Sequence, residues 1–514
     1  MKNKKIPRRK FLKKVGTGVA AASAIPLLGS KIVFDKDELE KVISSKDKSE
    51  LKNIIFILSD DHRFDFMGFM NKIDFIETPN MDKMAREGAH FENAFVSTSL
   101  CSPSRASILT GMYAHNHRVV DNATVESKEL IYFPQYLQKI GYETAFIGKW
   151  HMGISDDNPR KGFDRWVSFK GQGEYFNPHL NVDGKRIRKE GYITDILTDY
   201  AIEWLGRKRS KPFFLYLSHK AIHAMFEPPK RDKGKFDKEK VPHPASMADT
   251  AENYKGKPLW VKAQRYSWHG VDNMYYNSID FDTYVKRYCE TLISLDQSVG
   301  KIIDFVNDNH IAEKTITFYM GDNGLMFGEH GLIDKRQMYE ESMRVPLLAY
   351  APGFIKPGTK IKQMVQNIDI APTILDIAGI KTPKQMDGIS FLPLLKKNDC
   401  DWRKKIYYEY FWERAFPMTP TVFGIRTDKF KYMYYWGIWD TEELYDLEND
   451  PEEMNNLIHS EEHKEIVKEL SSDLFKWIKE NHGINIPVRK PGDFIRDGMG
   501  ADVIIKKSNK KLIG

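Results

Sequence analysis

Four short polar clusters, each directly after an apolar run, hold the residues with the most chemistry in this 514-residue chain. Asp60-Asp61 follows residues 53–58, Lys149-Trp150-His151 follows 144–147, His219 to His223 follows 212–217, and Asp322-Asn323 follows 315–320. Asp60, Asp61, Asp322 and Asn323 offer only hard oxygen donors. Such a set suits Ca2+ or Mg2+, and a carboxylate-rich, irregular shell suits Ca2+ better. Arg105, Lys149 and Lys335 are cations able to line an anion pocket and balance charge that a metal does not. His151 and His223 each follow a strand-like run and can exchange protons near neutral pH. Together these types describe charge-shifting chemistry on an anionic group beside a divalent cation.

One thiol stands among them, in Cys101-Ser102-Pro103-Ser104-Arg105, with Leu109-Thr110-Gly111 closing the stretch. Pro103 suits the first turn of a helix, residues 104–110 can continue it, and Gly111 can end it. Residue 101 then sits at a helix N-terminus, where free N–H groups favour an anion, with Arg105 one turn on and facing the same side. A helix start also favours a low-pKa nucleophilic cysteine. That competing reading has no use for the carboxylate cluster.

The elements that must position these groups are short apolar runs rich in β-branched residues, the pattern of strands buried on both faces. Besides the four above there is a fifth, residues 345–350. Helical spacing lies between them, clearest over 282–306 with Tyr284, Tyr288, Leu292, Leu295, Val299, Ile302 and Phe305. The expected fold is α/β: a large mixed, mostly parallel central sheet flanked by helices. In open α/β sheets ligands bind outside the carboxyl ends of the strands, so four polar strand ends imply one convergent site. Residues 225–280, rich in Lys, Pro, Trp and Tyr, read as an irregular insertion beside it. From about residue 401 short aromatic runs and a helix near 461–480 predict a smaller C-terminal α+β subdomain, to residue 485, with a tail over 486–514.

Composition narrows the setting. With 41% hydrophobic and 12% aromatic residues the chain is globular. The net charge of +7 is carried by eight Lys/Arg and no acid within residues 1–30, so the rest is near neutral and a nucleic-acid partner loses its support. Residues 1–30 read as an export signal, a basic stretch before an apolar run too short to span a bilayer. Arg8-Arg9-Lys10-Phe11-Leu12 is twin-arginine-like. Residues 31–51 form a charged linker and 52–400 the catalytic domain. The expected location is outside the cytoplasm, in a periplasm or secreted, with no stable membrane anchor. Cys101, Cys289 and Cys400 are too few for a disulfide framework, and the last two are expected to be free and structural.

From residue 52 to 481 these motifs, in this order, resemble the type I sulfatase family of the alkaline-phosphatase-like superfamily. The residues that carry it are the Cys101 motif, Gly148-Lys149-Trp150-His151, Asp60-Asp61, Gly321-Asp322-Asn323-Gly324, Lys335 before Tyr339-Glu340-Glu341, and the ending Glu443-Leu444-Tyr445-Asp446-Leu447. The resemblance implies that a maturation enzyme converts Cys101 to Cα-formylglycine, and that Asp60, Asp61, residue 101, Asp322 and Asn323 bind one Ca2+. It implies an anion clamp of Arg105, Lys149 and Lys335, with His223 as proton donor to the leaving group and His151 as proton acceptor. Ile222 stands where many relatives have Pro. The segments 161–166 and 171–179 resemble bacterial glycan sulfatases, which implies a sulfated carbohydrate substrate, an algal glycan such as ulvan or a glycosaminoglycan. Trp260, Tyr266, Trp268 and His269 are candidates to stack on sugar rings or to pack the insertion. A phosphonate or phosphate ester hydrolase of the same superfamily and an inactive glycan-binding homologue are the alternatives.

Overall fold

The computed structural model describes residues 52–396, 400–438, 440–481 and 483. The export signal, the linker over 31–51 and the tail over 486–514 lie outside the described residues. Among those described, no helix is long and apolar enough to cross a membrane.

The strands in the first part of the chain are β1 (Asn53–Ser59), β2 (Ala89–Phe91), β3 (Ala94–Phe95), β4 (Glu143–Lys149), β5 (Arg165–Phe169), β6 (His179–Val182), β7 (Lys185–Arg188), β8 (Phe213–Ser218), β9 (Thr315–Gly321), β10 (Leu347–Tyr350), β11 (Thr359–Ile361) and β12 (Val365–Gln366). Ten of them form one sheet in the order β11-β2-β10-β9-β1-β8-β4-β5-β6-β7, and β12 pairs with β3 apart from it. The centre, β9-β1-β8-β4-β5, is parallel throughout, while β10 and the β6–β7 hairpin run antiparallel. The four strands whose ends carry polar clusters are thus adjacent. The strand at 345–350 begins at Leu347 and turns against its neighbours, and β5 to β7 are additions the apolar runs did not mark.

Alternation explains why β1 reads as apolar without a break. Ile54, Phe56 and Leu58 enter one hydrophobic core, Ile55 and Ile57 the other. The first core is closed by α2 (Cys101–Thr110) and α5 (Ile370–Ile377), the second by α1 (Pro79–Glu87), α3 (Ile193–Leu205) and α4 (Phe281–Asp308). Helix α4 extends the predicted 282–306 by a residue or two at each end. The Asp280 carboxylate caps it by accepting from the Thr283 N–H at 2.9 Å.

The C-terminal segment forms an antiparallel sheet of β13 (Lys405–Tyr410), β14 (Thr421–Thr427), β15 (Phe430–Trp436) and β16 (Glu443–Asp446), with α6 (Lys464–Glu480) on one face. Leu470, Leu474, Trp477 and Ile478 of α6 pack with Phe423, Ile425, Tyr432 and Leu444. The opposite face supplies Tyr408, Tyr410, Val422, Met433 and Tyr435 to the first core of the large sheet. Buried charges join the two layers. Lys431 pairs with Glu340 at 2.9 Å and Glu453 at 2.8 Å, and Arg426 reaches Glu340 at 2.9 Å.

Removing one partner of a buried ion cluster leaves the others uncompensated. Lys431→Met should lower the unfolding free energy by about 3 kcal/mol, read from the midpoint of urea denaturation. Adding Glu453→Gln should restore part of the loss.

Candidate functional site

Register places the acids. Ser59 of β1 pairs with Gly321 of β9, so Asp60 and Asp322 leave the sheet side by side. Leu58 pairs with Ser218 of β8, and Gly148 of β4 with Ser218 in turn. Gly148 has φ +126°, and a Cβ there would fall 1.7 Å from the Ser218 carbonyl oxygen, so only glycine lets β4 deliver Lys149 this close to β8. Asp61 also takes a left-handed backbone, φ 54°, which turns its carboxylate back toward Asp322. Its own N–H donates to the Asp322 Oδ1 at 3.0 Å.

Helix α2 starts at Cys101 and ends at Gly111, whose φ of 70° closes it through an N–H bond to the Ser107 carbonyl. Cys101 Sγ lies 3.4 Å from Asp60 Oδ1 and 3.8 Å from Asp61 Oδ1. Lys335 Nζ donates to Cys101 Sγ at 3.0 Å and pairs with Asp61. Lys149 pairs with Asp60. Arg105 donates from Nε to Asp322 Oδ2 at 2.9 Å and from Nη1 to the Lys149 carbonyl at 2.8 Å and to Ser218 Oγ at 2.6 Å. Every one of these groups is buried. The structure therefore brings Asp60, Asp61, Cys101, Arg105, Lys149, Asp322, Asn323 and Lys335 into one pocket.

The histidines complete it with defined tautomers. Ser102 Oγ spends its single proton on the His151 carbonyl, so at 3.3 Å it accepts from His151 Nδ1–H, and Nε2 is left as the base nitrogen. His223 Nδ1 donates to the Ala224 carbonyl, which turns Nε2 toward the site, 3.9 Å from Asp61 Oδ2. Burial, and next the charge of Lys149, hold both imidazoles well below their ordinary pKa. The other histidines in or near motifs are structural. His62 meets the Tyr319 hydroxyl, His219 meets Ser298 Oγ, His115 pairs with Glu409, His117 meets Ser107 Oγ, and His330 packs on the Tyr339 ring.

The thiol is not a nucleophile in this setting. Burial, then the Asp60 carboxylate, push its pKa far up, past what Lys149 and Lys335 offset. The low-pKa cysteine that a helix start would favour is excluded by the acids around it.

The acids fit a divalent cation. Carboxylate oxygens of Asp60, Asp61 and Asp322 lie within 4.8 Å of one another. Asn323 Nδ2 donates to Asp61 Oδ1 at 2.7 Å and to the Gly324 carbonyl, while its Oδ1 is buried with no hydrogen-bond partner. An orphaned amide oxygen beside three carboxylates is an all-oxygen donor set. Burial, then Asp60, push the Asp322 carboxyl up. For Asp60 burial works the same way, but Lys149, His223 and Arg105 outweigh it and hold that carboxyl well below its usual range.

Three further groups belong to the pocket. Gln172 accepts from Lys149 Nζ, Ser218 holds Arg105 and the Lys149 carbonyl, and Lys220 lies buried with its ammonium 4.3 Å from the centroid of the Tyr175 ring. Burial, with the nearby charge of Lys149, pushes Lys220 down to about 8. Gln172 follows β5, so it obeys the same strand-end rule; the unrecognised strand hid it.

If these acids hold Ca2+, the ion should raise the melting temperature of a Cys101→Ala protein over its EDTA-treated form, by the linkage of binding to folding. Asp322→Asn should abolish the shift. Because the Asp322 carboxyl is pushed up, protons compete with the ion, and the shift should shrink as pH falls and grow as it rises.

The chain was compared with known proteins at this point. Residues 52–380 match the family described as Sulfatase, and residues 328–480 match the C-terminal region of N-sulphoglucosamine sulphohydrolase. An N-acetylglucosamine-6-O-sulfatase of Bacteroides thetaiotaomicron is 34% identical, over 83% of this chain and 86% of its own. An N-acetylglucosamine-6-sulfatase of Capra hircus is 32% identical, over 80% of this chain and 81% of its own. A solved structure in complex with its substrate D-glucosamine-2-N,6-O-disulfate superposes with a TM-score of 0.75 at 33% identity, covering 86% of this chain and all of the other.

Proposed function

The chain belongs to the type I sulfatase family of the alkaline-phosphatase-like superfamily and is a sulfuric ester hydrolase; from that premise we propose that it removes sulfate from a sulfated, polysaccharide-derived carbohydrate through a formylglycine at residue 101. The observation that carries this is the position of the Cys101 side chain, at once on α2, against Asp60 and Asp61, and within reach of Lys335. The 6-sulfated hexosamines named for the relatives make 6-sulfated N-acetylglucosamine the first substrate to test.

The residues take roles from their positions. A hydrated aldehyde at residue 101 supplies a nucleophilic hydroxyl and a second one from which sulfate can be eliminated, which serine lacks. Ca2+ held by Asp60, Asp61, Asp322 and Asn323, with residue 101 beside them, supplies Lewis-acid polarisation. Arg105, Lys149 and Lys335 neutralise sulfate oxygens as charge moves to the leaving group, and burial strengthens each of these attractions. His223 presents Nε2 to the site and donates the proton to the departing sugar oxygen. Its resting pKa is depressed by burial and by Lys149, and bound sulfate dianion offsets those cations and restores the proton. His151, with Nε2 free, takes the proton released when sulfate departs.

Export through a twin-arginine route fits a chain that must acquire its aldehyde before it folds. It would place the enzyme in a periplasm or outside the cell.

Cys101→Ala should keep the melting transition and lose all turnover and all labelling by an aldehyde-reactive probe. His223→Asn should cut kcat on a sugar sulfate by about 10² to 10⁴. It should act far less on 4-nitrophenyl sulfate, whose leaving group needs no proton. Equal losses on both would refute the assignment of His223, and faster cleavage of an aryl phosphate diester than of any sulfate ester would refute the substrate class.

A further inference from the structure

Beside the anion pocket lies a second feature that the roles above leave unused. A cleft of about 260 Å³ runs between residues 264–269 of the insertion and residues 415–419 of the loop joining β13 to β14. The two walls are bolted together and to the catalytic pocket by one chain of hydrogen bonds. Thr419 Oγ1 donates to Gln264 Oε1 at 2.9 Å, and Gln264 Nε2 donates to Asp334 Oδ2 at 3.0 Å. Asp334 is the neighbour of Lys335, which touches Cys101. Cleft and anion pocket therefore share one segment of backbone and are held in a fixed relation.

The walls are aromatic and half-exposed. Trp268 stacks on Phe416 with centroids 5.7 Å apart, His269 stacks on Phe416 at 4.8 Å, and Tyr276 lies parallel to Trp268 at 6.2 Å. Trp260, by contrast, is buried against Tyr435, and the exposed Tyr266 bonds to Asp249, so neither reaches the cleft. Exposed aromatic and apolar faces rarely gather without a ligand or partner, and Met418 at the rim is 39% exposed.

The cleft's charge is informative as well. No Lys, Arg, Asp or Glu is among its lining residues. The nearest cation, Arg336, lies over Phe416 but is neutralised by Asp334 at 2.6 Å and Glu413 at 2.8 Å. His269 sets its Nδ1 3.3 Å from Asp334, which leaves Nε2 to accept from a ligand hydroxyl.

We infer that this cleft seats the sugar ring that bears the sulfate, and that the ring is an uncharged pyranose, a neutral hexose or N-acylated hexosamine, rather than a uronate or an N-sulfated hexosamine. The inference rests on the sulfatase reading above. A pyranose offers apolar C–H faces to Trp268 and Phe416 and hydroxyls to His269, and a carboxylate or second sulfate would meet no free cation there.

The test compares kcat/KM for 6-sulfated N-acetylglucosamine with that for 4-methylumbelliferyl sulfate, which has no pyranose, in enzyme checked for its aldehyde. Trp268→Ala and Phe416→Ala should each lower the sugar-to-aryl ratio about tenfold or more, chiefly through KM, and Trp268→Phe should recover most of it. A ratio unmoved in both alanine variants, with native-like melting, overturns the inference. On the wild type, 2-sulfated uronate and glucosamine-2-N,6-O-disulfate should give kcat/KM at least about tenfold below that of the N-acetylated ester. Equal or better turnover of either overturns the uncharged class. If aldehyde-bearing wild type cleaves no sugar sulfate, the reading of its substrate fails separately. Titration of 6-sulfated N-acetylglucosamine into Cys101→Ala protein then decides the cleft. Saturable quenching of tryptophan fluorescence that disappears with Trp268→Ala supports it, and no quenching overturns it.

Discussion

The parallel pairing of β1 with β9 is the constraint on which the site depends. Because Ser59 faces Gly321, two carboxylates, Asp60 and Asp322, emerge next to each other in a place with no access to water. Like charges so placed cannot both ionise unless cations accompany them. The remaining strand ends, α2 and the loop carrying Lys335 supply those cations. Arg105 lies on Asp322, Lys149 on Asp60 and Lys335 on Asp61. The result is a buried array of alternating charge in which a divalent ion and a sulfate dianion are each matched in sign by groups already in position.

Such an array also controls protons. It keeps the Cys101 thiol protonated and the two catalytic-site imidazoles neutral at rest, so neither a thiolate nor an imidazolium competes for the anion site. The hydrogen bonds of His151 to Ser102 and of His223 to Ala224 differ in detail but have one consequence. Each occupies Nδ1 and leaves Nε2 for chemistry. The preorganisation therefore lies in tautomer as well as in position, and it comes from residues beside the motifs rather than from the motifs alone.

The C-terminal sheet is part of this arrangement, not an appendage. It shares a hydrophobic core with the large sheet, is pinned to it through Lys431, Glu340 and Arg426, and extends the loop that carries Phe416 to the insertion. An irregular insertion and a loop between two strands have no periodicity of their own. Each becomes a wall only against the other, which is why Trp268 and Trp260, eight residues apart and alike in sequence, have opposite fates.

Local sequence determined the strands that carry the site, the extent of α4 within two residues, the start and stop of α2, and the identity of the acids, cations and histidines. Each of those rests on short-range physics: alternation, helical spacing, a proline in the first turn, a glycine at positive φ, polar groups at strand ends. Tertiary structure alone decided the order β9-β1-β8-β4, the antiparallel turn of β10, and the hairpin β6–β7, whose charged β7 hides it from an apolar scan. It also decided which of seven motif histidines face the site, that Gln172, Ser218 and Lys220 join it, and that the thiol is held protonated. Those outcomes depend on pairing partners and on charges far apart along the chain, such as Asp61 and Lys335, which only the closed fold brings into contact.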